Sequence, residues 1–573
     1  MRSRVLFIGF LTLTIILIFI RFAVLGDAEP RADQGSIIVW IQDLRQSLRF
    51  WPVDHADAGF VEKLITDEHS FLNILIRRIY LAQDHIFVLL SVAWFYLLSF
   101  PLGVSAEAQI LASIIAGTLA LSVFAVIPLS FRGRMEHKFS TETAWITVAA
   151  FILLAASSYL YLYSVIGIHN VGLLGFAISI VITQLWLSGI SMAPPETRRQ
   201  VDIRALVLLL LGQSLAIYAH YTTVFLLAPA TFASLLFIRH VEASFRKRIV
   251  FFYVAGVIVI FLPAVVWGVM SASLGPHHGD QGFATRLIWV LTQEGYSAAE
   301  LLRRVMRWGH VVSGSLSWPI VFAGVVGVIG IARRLGNAFL FFLVGIHFLV
   351  GILMPGFNQY DRTGAYVLPI LIVGAAWLFV VASNAAISAW RSDRPSVWFR
   401  YAVPTGVVMA IVLHGFFEIA RFSNDVTILH WGTVIQRHVG VRRMAKDFHK
   451  KLPQGSVVVP WNYKVSHMFK MFRDNTPNSP YYLRTLVSLH RELKNNNIQQ
   501  YLKRRGIRIP EGTPVYILAP EKFELGIPVS DVAQEIARAG FGWQAPMSVD
   551  QIQQMKLPAW LSLGQHMTVY ALR

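Results

Sequence analysis

Two adjacent acids, Asp67 and Glu68, stand in the stretch Leu64-Ile65-Thr66-Asp67-Glu68-His69-Ser70, with apolar sequence close by on both sides. A chain that only spans hydrocarbon has no physical use for carboxylates there. An enzyme that activates a hydroxyl group at a membrane surface does need one. Held near the membrane plane and partly desolvated, a carboxylate becomes a stronger base. The loop around the pair, residues 26–85, holds ten acids, of which Asp27, Glu29 and Asp33 read as solvated surface charges. Asp67 and Glu68 are the candidates for proton transfer.

Other polar residues interrupt apolar sequence. His220 and Tyr221 sit between two hydrophobic runs, and Asp84 with His85 precedes another. A histidine in such a turn is ordinarily structural, yet polar groups at membrane depth normally face a cavity or a partner. Arg362 reads either as an interfacial anchor or as a phosphate clamp, since a guanidinium grips phosphate oxygens with two parallel hydrogen bonds. Arg303, Arg304 and Arg307 lie at helical spacing on the amphipathic stretch 298–308. That arrangement suits a helix resting on anionic headgroups or one gripping a lipid phosphate. His277, His278 and His310 invite a metal, but no second carboxylate stands at ligand spacing. A divalent metal is not favoured, and no other cofactor is implied.

The elements that must position these residues are membrane helices. The chain has 573 residues, mean hydropathy +0.55, 55% hydrophobic and 14% charged residues. A soluble globular chain carries about a quarter charged residues. Runs of some 20 apolar residues, enough to cross a core about 30 Å thick, recur through the first three-quarters of the sequence. There is no cysteine, which excludes disulfides, thiolate metal sites and a cysteine nucleophile. The formal charge of +18 points to anionic lipid or anionic substrate before it points to nucleic acid. At the N-terminus the apolar run 5–25 is long for a signal peptide, is interrupted by Arg21 and lacks a small-x-small cleavage site. It reads as an uncleaved first span that starts in the cytoplasm.

Further apolar runs cover 86–104, 108–129, 144–166, 171–192, 203–219, 222–238, 249–270, 318–331, 338–354, 364–382 and 402–417. Connections rich in Lys and Arg stay cytoplasmic. Here these are 132–138, 198–204, 239–248, 333–334 and 391–400. The loops 167–170, 219–221, 271–317 and 355–362 then fall outside, together with everything after residue 420. One segment breaks the alternation. If 86–104 crossed the bilayer, the basic loop at Arg132 would land on the wrong side. The segment therefore reads as a juxtamembrane helix on the outer surface. The expected fold is mainly α: a polytopic membrane protein of about eleven spans, with eleven to thirteen as the range. The transmembrane domain, 1–420, carries the large outer loops 26–85 and 271–317.

Beyond residue 420 the composition changes. Residues 421–573 contain 21 basic and 10 acidic residues, more than half of the net charge. Strand-like runs at 456–459, 515–518 and 567–572 alternate with helix-like stretches such as 531–539. This tail reads as a small periplasmic α/β domain.

The stretch from Thr66 to Gly117 resembles the opening of the membrane glycosyltransferases of the C superfamily, the protein O-mannosyltransferase, aminoarabinose transferase and arabinosyltransferase type. Asp67-Glu68 match the acidic pair of that family after its first span. Asp84-His85 match the residues before its H-P-P-x-Y-Y prolines. Leu102-Gly103-Val104-Ser105-Ala106-Glu107 resemble its F-G-x-S-E turn, and Ser113 with Gly117 match the span that follows. Tyr163-Ser164 and the nearby His169-Asn170 are similar to its Y-S-Q-E-A-R-M-Y turn, although the arginine and second tyrosine are missing. Ile217-Tyr218-Ala219-His220-Tyr221-Thr222 resembles its Y-T-H-Y turn. Tyr360-Asp361-Arg362 with Leu368-Pro369 resembles its R-Y-x-x-x-x-x-P span entry. The resemblance covers residues 1–420, and in that family the helix after His85 is juxtamembrane.

What the resemblance implies is transfer of a sugar from a polyprenyl-phosphate donor to an acceptor hydroxyl on the outer face of a bacterial inner membrane. Asp67 would take the acceptor proton and Glu68 would orient the acceptor or Asp67. His85 and His220 would position donor or acceptor, and Arg362 would stabilise the charge growing on the leaving phosphate. Asp84, His169, Tyr221, Arg303 and Arg304 are the further candidates for contact with substrate. The acceptor is a lipid, a glycan or a protein. The alternative is a transporter or flippase for a lipid-linked saccharide, which intramembrane acids on broken helices would favour.

Overall fold

The protein is described here by a computed structural model. It covers residues 2–25, 32–48, 50, 70–72, 74–75, 89–131, 141–157, 160, 167–192, 203–238, 241–272, 297–353, 361–390, 401–423, 426–429, 433–436, 441–460, 463–470, 472, 480–482, 514–520, 549–556 and 566–572. The chain forms two compact units. One comprises Met1–Gly26, Gln83–Trp94 and Leu111–Val434, and the other Asp27–Ala82, Phe95–Ile110 and Ile435–Arg573.

The first unit is built mainly from apolar helices. In chain order they begin with α1 (Arg2–Leu25), then α3 (Leu89–Leu102), α4 (Ala106–Ala125), α5 (Thr141–Ala156) and α6 (Gly167–Met192), with α2 introduced below. There follow α7 (Ile203–Ala219), α8 (Val224–Leu236), α9 (Ala243–Ala272), α10 (Ala298–Ser315), α11 (Trp318–Leu335), α12 (Phe339–Leu353), α13 (Leu368–Trp390) and α14 (Val403–Ser423). Six of the described helices are long and apolar enough to cross a membrane, at Ala106–Ala125, His169–Ile190, Ala243–Val266, Trp318–Leu335, Gly364–Trp390 and Val403–Ala420. Shorter apolar helices take up the remaining apolar runs of the sequence. On α9 the side chains Phe251, Ile258, Val259 and Leu262 are exposed, as on a helix that faces lipid.

Side-chain contacts fix the direction of the first crossings. The Thr14 hydroxyl lies 3.0 Å from that of Ser122, and Arg21 Nη1 donates to Thr118 Oγ1 at 3.5 Å. Moving forward along α1 means moving backward along α4, so the two helices are antiparallel. A chain that crosses with α1 returns with α4, so an even number of crossings, zero included, separates the two. This agrees with the surface position expected for residues 86–104. The α3–α4 turn explains its own sequence. Gly103 adopts φ +90°, a conformation that side chains with a β-carbon rarely take. Two residues later Ser105 caps α4 by accepting the Ala108 N–H at 3.2 Å.

The tightest packing joins α11 to α13. A β-carbon added at Gly327 would stand 1.8 Å from the Gly374 carbonyl oxygen, and one at Gly324 would stand 2.5 Å from that of Leu371. Small residues let the backbones touch, which is how helices associate where hydrocarbon offers no hydrophobic driving force. At the end of α11, Arg334 pairs with Glu142 at the start of α5. Nearby, Gln184 of α6 donates to the Asn337 side chain at 3.2 Å. The basic connections 132–138 and 333–334 therefore flank helix ends that meet, as the charge count requires of loops on one face.

The second unit holds α2 (Ala32–Arg45), the α3–α4 turn and the C-terminal residues. Its sheet has the order β4-β3-β5-β7-β6, where β3 is Val457–Pro460, β4 Tyr481–Tyr482, β5 Val515–Pro520, β6 Val549–Lys556 and β7 His566–Leu572. A separate pair, β1 (Val426–Leu429) and β2 (Thr433–Gln436), precedes it. Strand β3 runs parallel to β4 and β5, while β7 is antiparallel to β5 and β6. All four residues of β3 are buried, in keeping with its unbroken apolar sequence. Helix α15 (Val441–Lys451) precedes β3 and α16 (Tyr463–Lys470) follows it. The strand-like runs expected at 456–459, 515–518 and 567–572 fall on β3, β5 and β7, whereas the helix-like stretch 531–539 lies outside the described residues.

Candidate functional site

The acidic pair Asp67-Glu68 lies outside the described residues, as do Asp84, His85, His277 and His278. Tyr221 and Arg362 are placed by their backbones, in the short 3-10 helices Tyr221–Thr223 and Asp361–Tyr366. The remaining candidates have described side chains, and they fall into two groups.

The first group gathers at one end of the bundle, where α6 and α13 begin and α7 ends. His169 and His220, 51 residues apart, bring their ring centroids to 4.3 Å at an interplanar angle of 51°. His220 ends α7 with its backbone N–H on the Ala216 carbonyl at 3.1 Å. Its own carbonyl then accepts the Thr223 hydroxyl at 2.9 Å, which turns the chain into α8. The Thr222 N–H donates to His220 Nδ1 at 3.3 Å. An accepting Nδ1 makes Nε2 the donor nitrogen of the neutral ring. The ring is buried, so its orientation is held by packing.

Three further residues, none of them a candidate from the sequence, complete the setting. Tyr366, buried at the entry to α13, stacks on His220 with centroids 6.1 Å apart and meets Phe176 edge-on at 5.2 Å. Gly172, one turn into α6, leaves the room that His220 fills. A β-carbon there would lie 2.4 Å from His220 Cβ and 3.0 Å from the Tyr366 hydroxyl. Ser91 of α3 donates to the Ala219 carbonyl at 2.6 Å, which clamps the last turn of α7. Asn170, buried next to His169, donates to Ser113 Oγ at 2.9 Å. This bond ties Ser113 of α4 to the start of α6. Two imidazoles, a phenol and an amide thus converge on one buried place. They can donate and accept hydrogen bonds at fixed angles, which suits holding sugar hydroxyls or phosphate oxygens. The signal that would have found Tyr366 is a lone phenol in the run Ala365-Tyr366-Val367-Leu368, where every neighbour is apolar.

The second group is on α10, where Arg303 and Arg304 part company. Ser297 caps the helix by accepting the Glu300 N–H at 3.2 Å. Arg304 is 4% exposed, donates from Nε to Glu300 at 2.9 Å and from Nη1 to the Ile352 carbonyl at 3.1 Å. It thereby satisfies a carbonyl at the C-terminal end of α12. Arg303 pairs with the other oxygen of Glu300 but is 77% exposed. Its neighbours Leu302 and Met306 are also exposed. One turn on, Trp308 Nε1 donates to His347 Nδ1 at 3.0 Å and its ring meets Phe348 edge-on at 5.0 Å. Arg304 and Trp308 seat α10 on α12, and Arg303 faces outward. Among the described residues no group of three or more His, Asp and Glu is arranged to hold a metal ion.

No protein-family model matches the chain, and no curated protein matches its sequence. Among solved structures it is similar to ArnT from Cupriavidus metallidurans bound to undecaprenyl phosphate, at 11% identity and a TM-score of 0.48, covering 94% of this chain and 96% of that one. The apo state of the same ArnT matches at a TM-score of 0.47. The Archaeoglobus fulgidus oligosaccharyltransferase in the apo form matches at 10% identity and a TM-score of 0.47, covering 92% of this chain and 71% of that one. At these identities the likeness concerns the course of the chain and says nothing of its chemistry.

Proposed function

We propose that the protein is a glycosyltransferase of the membrane C superfamily. It moves a hexose or pentose from a polyprenyl-phosphate carrier to an acceptor hydroxyl on the periplasmic face of a bacterial inner membrane. The observation that carries this reading is the convergence of His169, His220, Tyr366 and the Asn170–Ser113 pair at one end of an apolar bundle. His169, Asn170 and His220 come from turns that the charge count assigns to the same face as the Asp67-Glu68 loop. A donor anchored by a long isoprenoid has to be reached from within the bilayer, which is the purpose such a bundle serves.

In this mechanism the acceptor oxygen attacks the anomeric carbon as the bond from that carbon to the phosphate oxygen breaks. The bonding pair leaves with the polyprenyl phosphate, and the acceptor proton passes to Asp67. Glu68 orients the acceptor or Asp67. Asp84, His85, His169, His220 and Tyr221 hold donor and acceptor in line, and Arg362 meets the charge that grows on the leaving phosphate. Arg303, facing outward on α10, is available to the carrier phosphate at the surface, and Arg304 positions α10. A general base contributes typically about 10²–10⁴-fold. The rest has to come from orientation and charge stabilisation.

The test is sugar transfer in proteoliposomes. Asp67→Asn is nearly isosteric, yet its amide accepts no proton at neutral pH. Transfer should fall at least about a hundredfold while insertion and thermal stability hold. Glu68→Gln should cost less, and Asp33→Asn almost nothing. Wild-type turnover in a well-folded Asp67→Asn protein would remove Asp67 from the mechanism, whereas no transfer by the wild-type protein itself would return the reading to a flippase.

A further inference from the structure

Helix α15 carries one strongly basic face. Arg443, Lys446, Lys450 and Lys451 are exposed, and at 100° per residue they share one side of the helix. Asp447, the acid among them, lies 3.9 Å from Arg443 as an exposed i,i+4 pair. The opposite side is apolar: Ala445 and Phe448 are buried, and Phe448 meets Phe469 of α16 edge-on at 5.7 Å. Packing therefore decides which way the cations point.

A chain of contacts within the same unit decides where they are. Lys470 of α16 binds Asp43 of α2 at 3.1 Å, an ion pair that is mostly buried. Gln42 of α2 donates to the Val104 carbonyl at 3.2 Å, in the turn that opens α4. The Arg45 guanidinium lies 3.9 Å over the Phe100 ring at the end of α3. Independently, Lys446 of α15 itself lies 3.9 Å from Glu107 in the first turn of α4. Helix α4, long and apolar enough to cross a membrane, starts at that turn. The basic face thus lies beside the N-terminal end of α4.

We infer that α15 is a docking surface for anionic phospholipid headgroups of the leaflet from which α4 enters. Charge complementarity selects the occupant, since each basic residue near an anionic surface adds to the attraction and works only within a Debye length of it. The inference holds whether or not the chain transfers a sugar. Its consequence is that the C-terminal sheet rests on the bilayer through this helix.

The chain has no cysteine, so an Asp447→Cys protein takes one spin label in the middle of the face. The full-length protein is placed in nanodiscs of phosphatidylcholine alone, or with phosphatidylglycerol as roughly a third of the lipid. Access of a neutral nickel chelate to the label is then measured. The anionic discs should reduce access at least about twofold, and high salt should restore it. Adding Arg443→Gln, Lys450→Gln and Lys451→Gln should abolish the difference. Equal access in both discs overturns the inference without any appeal to the triple variant. Protection that appears only on adding a few per cent polyprenyl phosphate to neutral discs also overturns it, because the occupant would then be the carrier.

Discussion

At residue 172 the structure has no room for even a methyl group, and the atoms in the way belong to His220 and Tyr366. This gives a probe of the site that replaces no candidate site residue. Gly172→Ala should push the His220 ring off its position against His169, by a shift that insertion and expression tolerate. Misplacing a positioning group by about 1 Å can cost some 10²-fold. We expect transfer to fall at least about tenfold, with a stability loss of order 1–3 kcal/mol from overpacking. Gly189→Ala on the same helix meets nothing within 4 Å and serves as the control, with transfer unchanged. Comparable turnover in both variants would detach His220 from the reaction. His169 and His220 were each legible in the sequence as polar interruptions of apolar runs. Their contact was not, because the two lie 51 residues apart and no local pattern encodes that pairing. Arg304 shows the opposite limit. Its spacing was readable, but the carbonyl of Ile352 that it caps belongs to another helix.

Among the elements, the apolar runs announced nearly every helix, since a helix is the way an isolated segment in hydrocarbon satisfies its own backbone. The partners were less legible. Gly324, Gly327 and Gly330 recur at every third position of α11 as a small-residue stripe. Two of them let α11 meet the α13 backbone, and Gly330 receives the Trp377 ring, with a β-carbon there standing 2.3 Å from it. The cost of filling that seam can be stated. Gly327→Ala puts its methyl against a carbonyl oxygen that cannot rotate away, so the helices must separate. Overpacking typically costs about 1–3 kcal/mol, and backbone obstruction belongs at the upper end. Thermal unfolding of the solubilised protein should show a clearly lowered Tm. Gly345→Ala on α12 has open space around it and should unfold at or above the wild-type temperature, since alanine is the better helix former. Equal Tm values for the two variants would mean that the α11–α13 contact is looser than described.

For the whole molecule the question is sidedness, and two independent lines bear on it. The count of Lys and Arg in the loops needed residues 86–104 to stay on one surface. The geometry reaches the same parity without using charge: Thr14–Ser122 and Arg21–Thr118 set α1 and α4 antiparallel. The pairing of Arg334 with Glu142, and of Gln184 with Asn337, collects at one end the helix termini that the count calls cytoplasmic. The histidines gather at the other. The tail was legible as a polar α/β segment, but its association with α2 was not, because the Lys470–Asp43 pair spans more than 400 residues. The decisive measurement uses reporters fused at four points. One after Arg334 should report cytoplasm, and one after Lys446 should report periplasm. The other two test the disputed helix: fusions after Asp57 and after Gly103 should both report periplasm, because α3 lies between them and does not cross. If they report opposite faces, α3 spans the bilayer and α4 runs the other way. The antiparallel pairing with α1 would then be wrong, and the acidic pair would no longer share a face with the histidine cluster. If only the fusion after Lys446 reports cytoplasm, the basic face of α15 loses its leaflet while the site keeps its place.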